Sequence, residues 1–151
     1  MPWTIRQAGP ADAPTIVEYN RRLAEESEGK ALDLTILAGG VAAALADPQR
    51  KGPYYLAVEG VTVLGQLQIT FEWSDWRNGW FWWIQSVYVR EGARRRGVFR
   101  SLYEHVAELA RRDAVVGLRL YVERDNHGAQ RTYRGLGMEQ TPYLLFERSP
   151  V

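Results

Sequence analysis

Arg94, Arg95, Arg96 and Gly97 stand in a row, with Arg100 three residues further on. They lie between an apolar strand pattern, "WFWWIQSVYV", and an amphipathic helix pattern running from Gly97 to Asp113. A helix N-terminus carries unpaired N–H groups and a partial positive charge, so phosphates bind there. Gly97 has no side chain to obstruct an oxyanion, and the guanidinium groups add charge-assisted contacts. The net charge is only +1, from 19 Lys and Arg against 18 Asp and Glu, so any anion site has to be local. Nucleic-acid-binding modules carry a basic face, and no nucleic acid is expected as a partner. Gly92 and Gly97 have the spacing of a P-loop, but Val98 and Phe99 stand where Lys and Ser/Thr are required. The dinucleotide pattern G-x-G-x-x-G is absent. On residues alone, the turn is either a phosphate cradle or a solvated charge run.

Other chemically capable groups are scattered. Glu25, Glu26 and Glu28 form an acidic cluster, which either recruits a cationic amine or is the polar end of a helix. His105 follows Ser101 by four residues without a third catalytic member, and both read as surface residues. The chain has no cysteine, which excludes disulfides and thiolate metal sites, and no metal is expected.

The elements that must position these residues follow from periodicity. "WTIRQA" alternates as a strand, and Ile16, Val17, Leu23 and Ala24 recur at helical spacing. Asp33 is a candidate cap for a second helix that ends before Pro48 and contains Gly39-Gly40. Three strands follow, turning near Gly60 and at "SDWRNG". Next come the helix after Gly97, a strand "VVGLRLYVE", a short helix in "NHGAQRTYRGLG", and one or two strands in "MEQTPYLLFER". The expected class is α/β, a mixed and mostly antiparallel sheet with a central parallel βαβ unit and flanking helices, in one domain over residues 1–151. Trp80 and Trp82 alternate with Phe81 and Trp83, so both faces of that strand are apolar. Trp73 and Trp76 are candidates to line a pocket, and surplus aromatics suggest a homodimer interface. With no signal-peptide pattern and no membrane-length apolar run, the expectation is a cytoplasmic protein without membrane contact.

The segment "VYVREGARRRGVFRSL" resembles the acetyl-CoA-binding motif of the GNAT superfamily of N-acetyltransferases, Gln/Arg-x-x-Gly-x-Gly/Ala between a strand and a long helix. Arg94, Gly97 and Phe99 occupy the defining positions, Phe99 standing where the family prefers Gly or Ala. "NHGAQRTYRGLGM" is similar to the family's second motif, matching at Asn126, Ala129, Tyr133 and Gly137. The element order matches along the whole chain. The resemblance implies a single GNAT-like domain that binds acetyl-CoA. It implies that the turn, Arg94 to Arg100 (Arg94, Arg95, Arg96, Gly97, Val98, Phe99, Arg100), holds the pyrophosphate. Val87, Tyr88 and Val89 would pair with the pantetheine arm, and Asn126 and Ala129 would lie along it. Tyr133 would be both a coenzyme contact and the general acid for the departing thiolate.

The implied activity is acetyl transfer to a primary amine of a small molecule, by direct attack in a ternary complex. A catalytically silent coenzyme A-binding regulatory domain and a protein or peptide N-acetyltransferase are the alternatives. "EESEGKALDLTIL", "EWSDWRNGWFWWIQSVYV" and "YVERDNHGAQRTY" also look like the diamine (spermidine/spermine) acetyltransferase branch. That branch places acids where this chain has Gln85 and Ser86. The residues left for the acceptor side are Glu26, Glu72 and Gln85, with Glu123 a further candidate base. If the ring of Phe99 turns toward the core, its N–H still faces the phosphate.

Overall fold

In the computed structural model, which describes residues 1–151, the alternating N-terminal segment forms β1 (Thr4–Gln7). Two helices follow, α1 (Ala13–Glu28) and α2 (Leu34–Ala46). Asp33 starts α2 as its position predicts, its Oδ1 accepting from the N–H groups of Thr35 and Ile36 at 2.9 and 3.1 Å. Helix α2 runs unbroken through Gly39-Gly40. A one-turn helix, α3 (Pro48–Lys51), leads into β2 (Tyr54–Glu59), β3 (Thr62–Ser74) and β4 (Gly79–Val89). Then come α4 (Val98–Arg112), β5 (Gly117–Arg119) and α5 (His127–Gly135). Contacts divide the chain into two compact units, Met1–Leu120 and Tyr121–Val151.

The first unit holds the sheet, in the order β1-β2-β3-β4-β5. The first three pairings are antiparallel, and β4 and β5 are parallel across the α4 crossover. Alternation in β2 divides the core. Tyr54 and Leu56 face Ile16, Val41, Ala44 and Leu45 of α1 and α2. Ala57 faces the other way with Leu67, Ile69, Trp82 and Ile84, packed under Val98, Leu102 and Val106 of α4. Leu102 and Val106 are fully buried, each stabilising by about 1.5–3 kcal/mol. Gly52 is compulsory, because a Cβ there would lie 2.0 Å from the Ile69 carbonyl oxygen.

The aromatic strand divides more unevenly than its sequence suggests. Phe81 and Trp82 are buried, whereas Trp80 is half exposed and Trp76, in the β3–β4 turn, is almost fully so. Trp73 packs edge-on to Trp80 at 5.1 Å, and neither Trp73 nor Trp76 lines either of the two clefts described below. Ser101 and His105 are not surface residues. Ser101 is buried, and His105 packs on the Tyr55 ring at 5.5 Å, with burial and Arg112 pushing its pKa down.

In the second unit, Asn126 caps α5, its Oδ1 accepting from the Ala129 N–H at 3.1 Å. Gly137, at φ 89°, ends the helix, and the Met138 N–H returns to the Tyr133 carbonyl at 3.1 Å. The strands expected in "MEQTPYLLFER" do not form, and "VVGLRLYVE" is a strand only over Gly117–Arg119. Strand preference is realised through cross-strand partners, and no strand of the chain pairs with residues 138–148. Tyr143, Leu144, Leu145 and Phe146 are consequently exposed.

Candidate active site

The turn between β4 and α4 contains the arginine run. Gly97 precedes α4 at φ 87°, a left-handed conformation that side-chain-bearing residues rarely adopt, and no side chain caps the helix. Before the turn the Arg94 N–H is donated to Glu91, and after it the Ser101 N–H is donated to Gly97. The N–H groups of Arg95, Arg96, Gly97, Val98 and Arg100 have no partner in the chain. Consecutive unpaired N–H groups at a left-handed turn and a helix start form an anion-binding concavity. The Phe99 ring packs against the core cluster, 6.2 Å from Tyr103, as the helical direction predicts.

The arginines divide into two kinds. Arg94 is committed within the fold: its Nε donates to the Val89 carbonyl at 2.9 Å and its NH2 to Glu26 at 3.0 Å, and it lies over the Tyr88 ring. Arg96 pairs with Glu59 at 3.0 Å and covers the Trp3 ring. Arg95 has no ion-pair partner, and Arg100 has only Glu104 at 3.8 Å. Arg95 and Arg100 are therefore the side chains available to an anion.

Strand β4 leads into this turn with one edge open. Its pairing with β5 is confined to Phe81–Trp83, so Ile84 to Val89 have no strand neighbour on that side. An extended ligand carrying amides can add along such an edge. Val87, Tyr88 and Val89 lie there, the Val89 carbonyl already accepting from Arg94. Opposite, Gln66 pairs with Tyr88 and Gln68 with Gln85. Ser86 and Val87 thus face the single residue Leu67 across a β-bulge, with Ser86 at φ 51°.

A buried polar chain supports the bulge. Gln66 is fully buried, and its Nε2 donates to the Ser86 carbonyl and to Asn20 Oδ1, both at 3.1 Å. Asn20 Nδ2 in turn donates to the Tyr54 hydroxyl at 3.1 Å. A carbonyl can only accept, so Ser86 fixes which end of the Gln66 amide faces it. Gln66 Oε1 is left buried without a partner. Between α1, α2 and this floor lies a cleft of about 390 Å³, lined by Asn20, Tyr54, Gln68, Ser86, Glu28 and the apolar side chains of both helices. A second cleft of about 500 Å³, lined by Tyr55, Phe71, Trp80 and Trp82, lies on the α4 face. The bulge belongs with the first, which Ser86 lines.

The candidate acceptor-side residues are dispersed. Glu26 is the partner of Arg94. Glu72 accepts from Trp83 Nε1 at 2.8 Å and from Arg119 at 3.0 Å. Gln85 donates from Nε2 to Thr70 Oγ1 at 2.6 Å. None of the three lines the cleft, although Gln85 precedes Ser86 and pairs with Gln68, both of which do. Glu123, in the second unit, accepts from the Asp125 N–H at 2.7 Å. Sequence reasoning missed Asn20, Tyr54, Gln66 and Gly40. A glutamine in an alternating strand reads as solvent-facing, and only α1 packing over the sheet turns Gln66 into a core residue. In the second unit, burial pushes the Tyr133 phenol above its ordinary range, so the group stays protonated through neutral pH.

An open strand edge, a bulge and a helix start suited to an anion lie on a mixed α/β sheet with one parallel crossover, an arrangement that can hold an extended ligand with an anionic group. Residues 17–138 match the model of the Acetyltransferase (GNAT) family, and the chain belongs to that family. A possible acetyltransferase from Clostridium difficile 630 is 43% identical with a TM-score of 0.93, over 100% of this chain and 99% of that one. A probable acetyltransferase is 23% identical with a TM-score of 0.85, over 98% and 97%. A predicted acetyltransferase from Clostridium acetobutylicum, solved with acetyl-CoA, is 17% identical with a TM-score of 0.80, over 97% and 96%. The last two likenesses concern the fold alone. No protein among the curated ones matches. No helix is long and apolar enough to cross a membrane.

Proposed function

We propose that the chain is an acetyl-CoA-dependent N-acetyltransferase that modifies a primary amine of a small molecule by direct attack in a ternary complex. The carrying observation is the run of unpaired N–H groups from Arg95 to Val98, a site for the coenzyme pyrophosphate. Arg95 and Arg100 add charge there, while Arg94 and Arg96 shape the turn through Glu26 and Glu59. The open edge at Val87, Tyr88 and Val89 suits the pantetheine amides. By the family's second motif, Asn126 and Ala129 contact the same arm. The amine nitrogen bonds to the acetyl carbon, the carbon–sulfur bond breaks, and Tyr133 gives its proton to the leaving sulfur. The amine must first lose its ammonium proton. Gln85, neighbour of Ser86, orients the water that accepts it, since arginines engage both Glu26 and Glu72.

The family match spans both units, which supports treating residues 1–151 as one acetyltransferase domain. The likeness to the diamine branch is carried only as far as a small amine acceptor, and a cleft of about 390 Å³ favours that over a protein substrate. The exposed Trp73, Trp76 and Trp80 and the run Tyr143–Phe146 support a homodimer, testable by sedimentation. A cysteine-free composition is compatible with the cytoplasm.

Calorimetry with acetyl-CoA tests the binding, and thiol release over an amine panel tests the transfer. Absence of binding at millimolar ligand overturns the proposal. Binding without thiol release favours the silent domain, a reading supported by the absence of an acid at Gln85 and Ser86.

A further inference from the structure

The cleft between α1 and α2 has an uneven chemistry. Its sheet end is polar but neutral, formed by Asn20, Tyr54, Gln68 and Ser86. Its outer part is apolar, formed by Leu23, Ala24, Leu37, Val41 and Ala44. Glu28 is the only acid lining it, half exposed and 3.8 Å from Lys30. The neighbouring acids are neutralised elsewhere, Glu25 by Arg21 at 2.9 Å and Glu26 by Arg94 at 3.0 Å. A polycation in this cleft would bring several charges to a single, already paired carboxylate, and desolvated charges need partners.

Gly40 adds an independent observation. It sits inside α2, where glycine weakens a helix relative to alanine. A Cβ at position 40 would meet no atom within 4 Å, so no close packing excludes a side chain there. Its φ is not in the left-handed region, so backbone geometry does not require glycine either. Yet it lines the cleft. The omitted side chain leaves room in the cleft and does nothing for the fold.

We infer that the acceptor is a primary amine on one compact apolar body, without a second cationic centre, and that Gly40 sets how large that body can be. The amine meets the neutral polar floor at Ser86 and Gln68, and the body lies against Leu37 and Val41. This rests on the acetyl-transfer reading and narrows it.

The test uses the full chain with acetyl-CoA and follows thiol release with phenethylamine and with spermidine. The expected kcat/KM is at least about tenfold higher for phenethylamine. Gly40→Phe lowers kcat/KM for phenethylamine by about tenfold or more, through KM, while calorimetric affinity for acetyl-CoA stays within about twofold. Gly40→Ala, which cannot break the helix, raises Tm and narrows the cleft by one methyl, with a smaller rise in KM. Spermidine turned over as well as phenethylamine, or better, overturns the inference while leaving acetyl transfer standing. An unchanged KM in Gly40→Phe overturns the role of Gly40. Acetyl-CoA binding with neither amine acetylated overturns the inference, and failure to bind acetyl-CoA overturns the parent reading instead.

Discussion

Gln66→Leu removes the amide that ties α1 to the β4 bulge while nearly preserving side-chain volume. Two acceptors lose their donor, the Ser86 carbonyl and Asn20 Oδ1. A buried acceptor left without a partner costs about 1–3 kcal/mol. One unpaired atom, Gln66 Oε1, disappears with the substitution and returns a similar amount. The balance is one net unpaired acceptor, a destabilisation of about 1–3 kcal/mol. At this chain length that lowers Tm by about 2–12 °C, at roughly 2–4 °C per kcal/mol. Thermal unfolding followed by circular dichroism reads the shift. Released from Gln66, Ser86 no longer has its bulged conformation enforced, so kcat falls while acetyl-CoA affinity is retained. Gln66→Glu is the sharper companion. It presents an oxygen to the Ser86 carbonyl, and burial raises its folded-state pKa. Its penalty therefore grows as pH rises above the ordinary glutamate value of about 4.3 and shrinks as pH falls below it. A Tm within about 1 °C of the parent for Gln66→Leu, together with unchanged kcat, would show that the amide chain does not hold the bulge.

Three further outcomes are expected. Gly97→Val forces a β-branched residue to φ 87°, costing about 1–2 kcal/mol, and its branches crowd the unpaired N–H groups, so Kd for acetyl-CoA rises at least about tenfold by calorimetry. Tyr133→Phe keeps acetyl-CoA affinity and lowers kcat by about a hundredfold or more. In the parent, kcat persists to a pH above the ordinary tyrosine range because burial raises the phenol pKa, and an unchanged pH–rate profile in the variant would remove the assignment. Arg21 and Arg22 hold the Glu18 carboxyl down at about 2, so its contribution is fully present above pH 4.5 and is lost as pH falls toward 2. Glu18→Gln flattens that part of the acid unfolding curve, and an identical acid limb would contradict it.

Local signals carried much of the fold. Asp33, the turns at Gly60 and Asn78, and the apolar stripe of α4 depend on near neighbours, so composition and spacing reveal them. The left-handed turn before α4 was legible for the same reason, since a strand, a glycine and a helix start are consecutive. The residues that shape the cleft were not. Ser86 adopts φ 51° because two strands fall out of register, and no spacing within β4 reports that. Gln66 and Asn20 are 46 residues apart and become partners only when α1 covers the sheet. The strand pattern at Tyr143–Phe146 misled for the opposite reason, because propensity was present and a pairing partner was not.

The division of labour among the arginines also changes how the turn works. A charge run suggests equal contacts to phosphate, but Arg94 and Arg96 spend their charge on Glu26 and Glu59 and hold the turn in place. In the proposed function backbone N–H groups are then the main anion ligands, which would let a nearly neutral protein hold a phosphate locally.

That claim is open to direct measurement by amide NMR of the isotope-labelled chain titrated with acetyl-CoA. The amide resonances of Arg95 through Arg100 should shift the most, and their hydrogen exchange should slow on saturation. Saturable binding that leaves those amides unmoved and freely exchanging would contradict the assignment of the turn as the phosphate site.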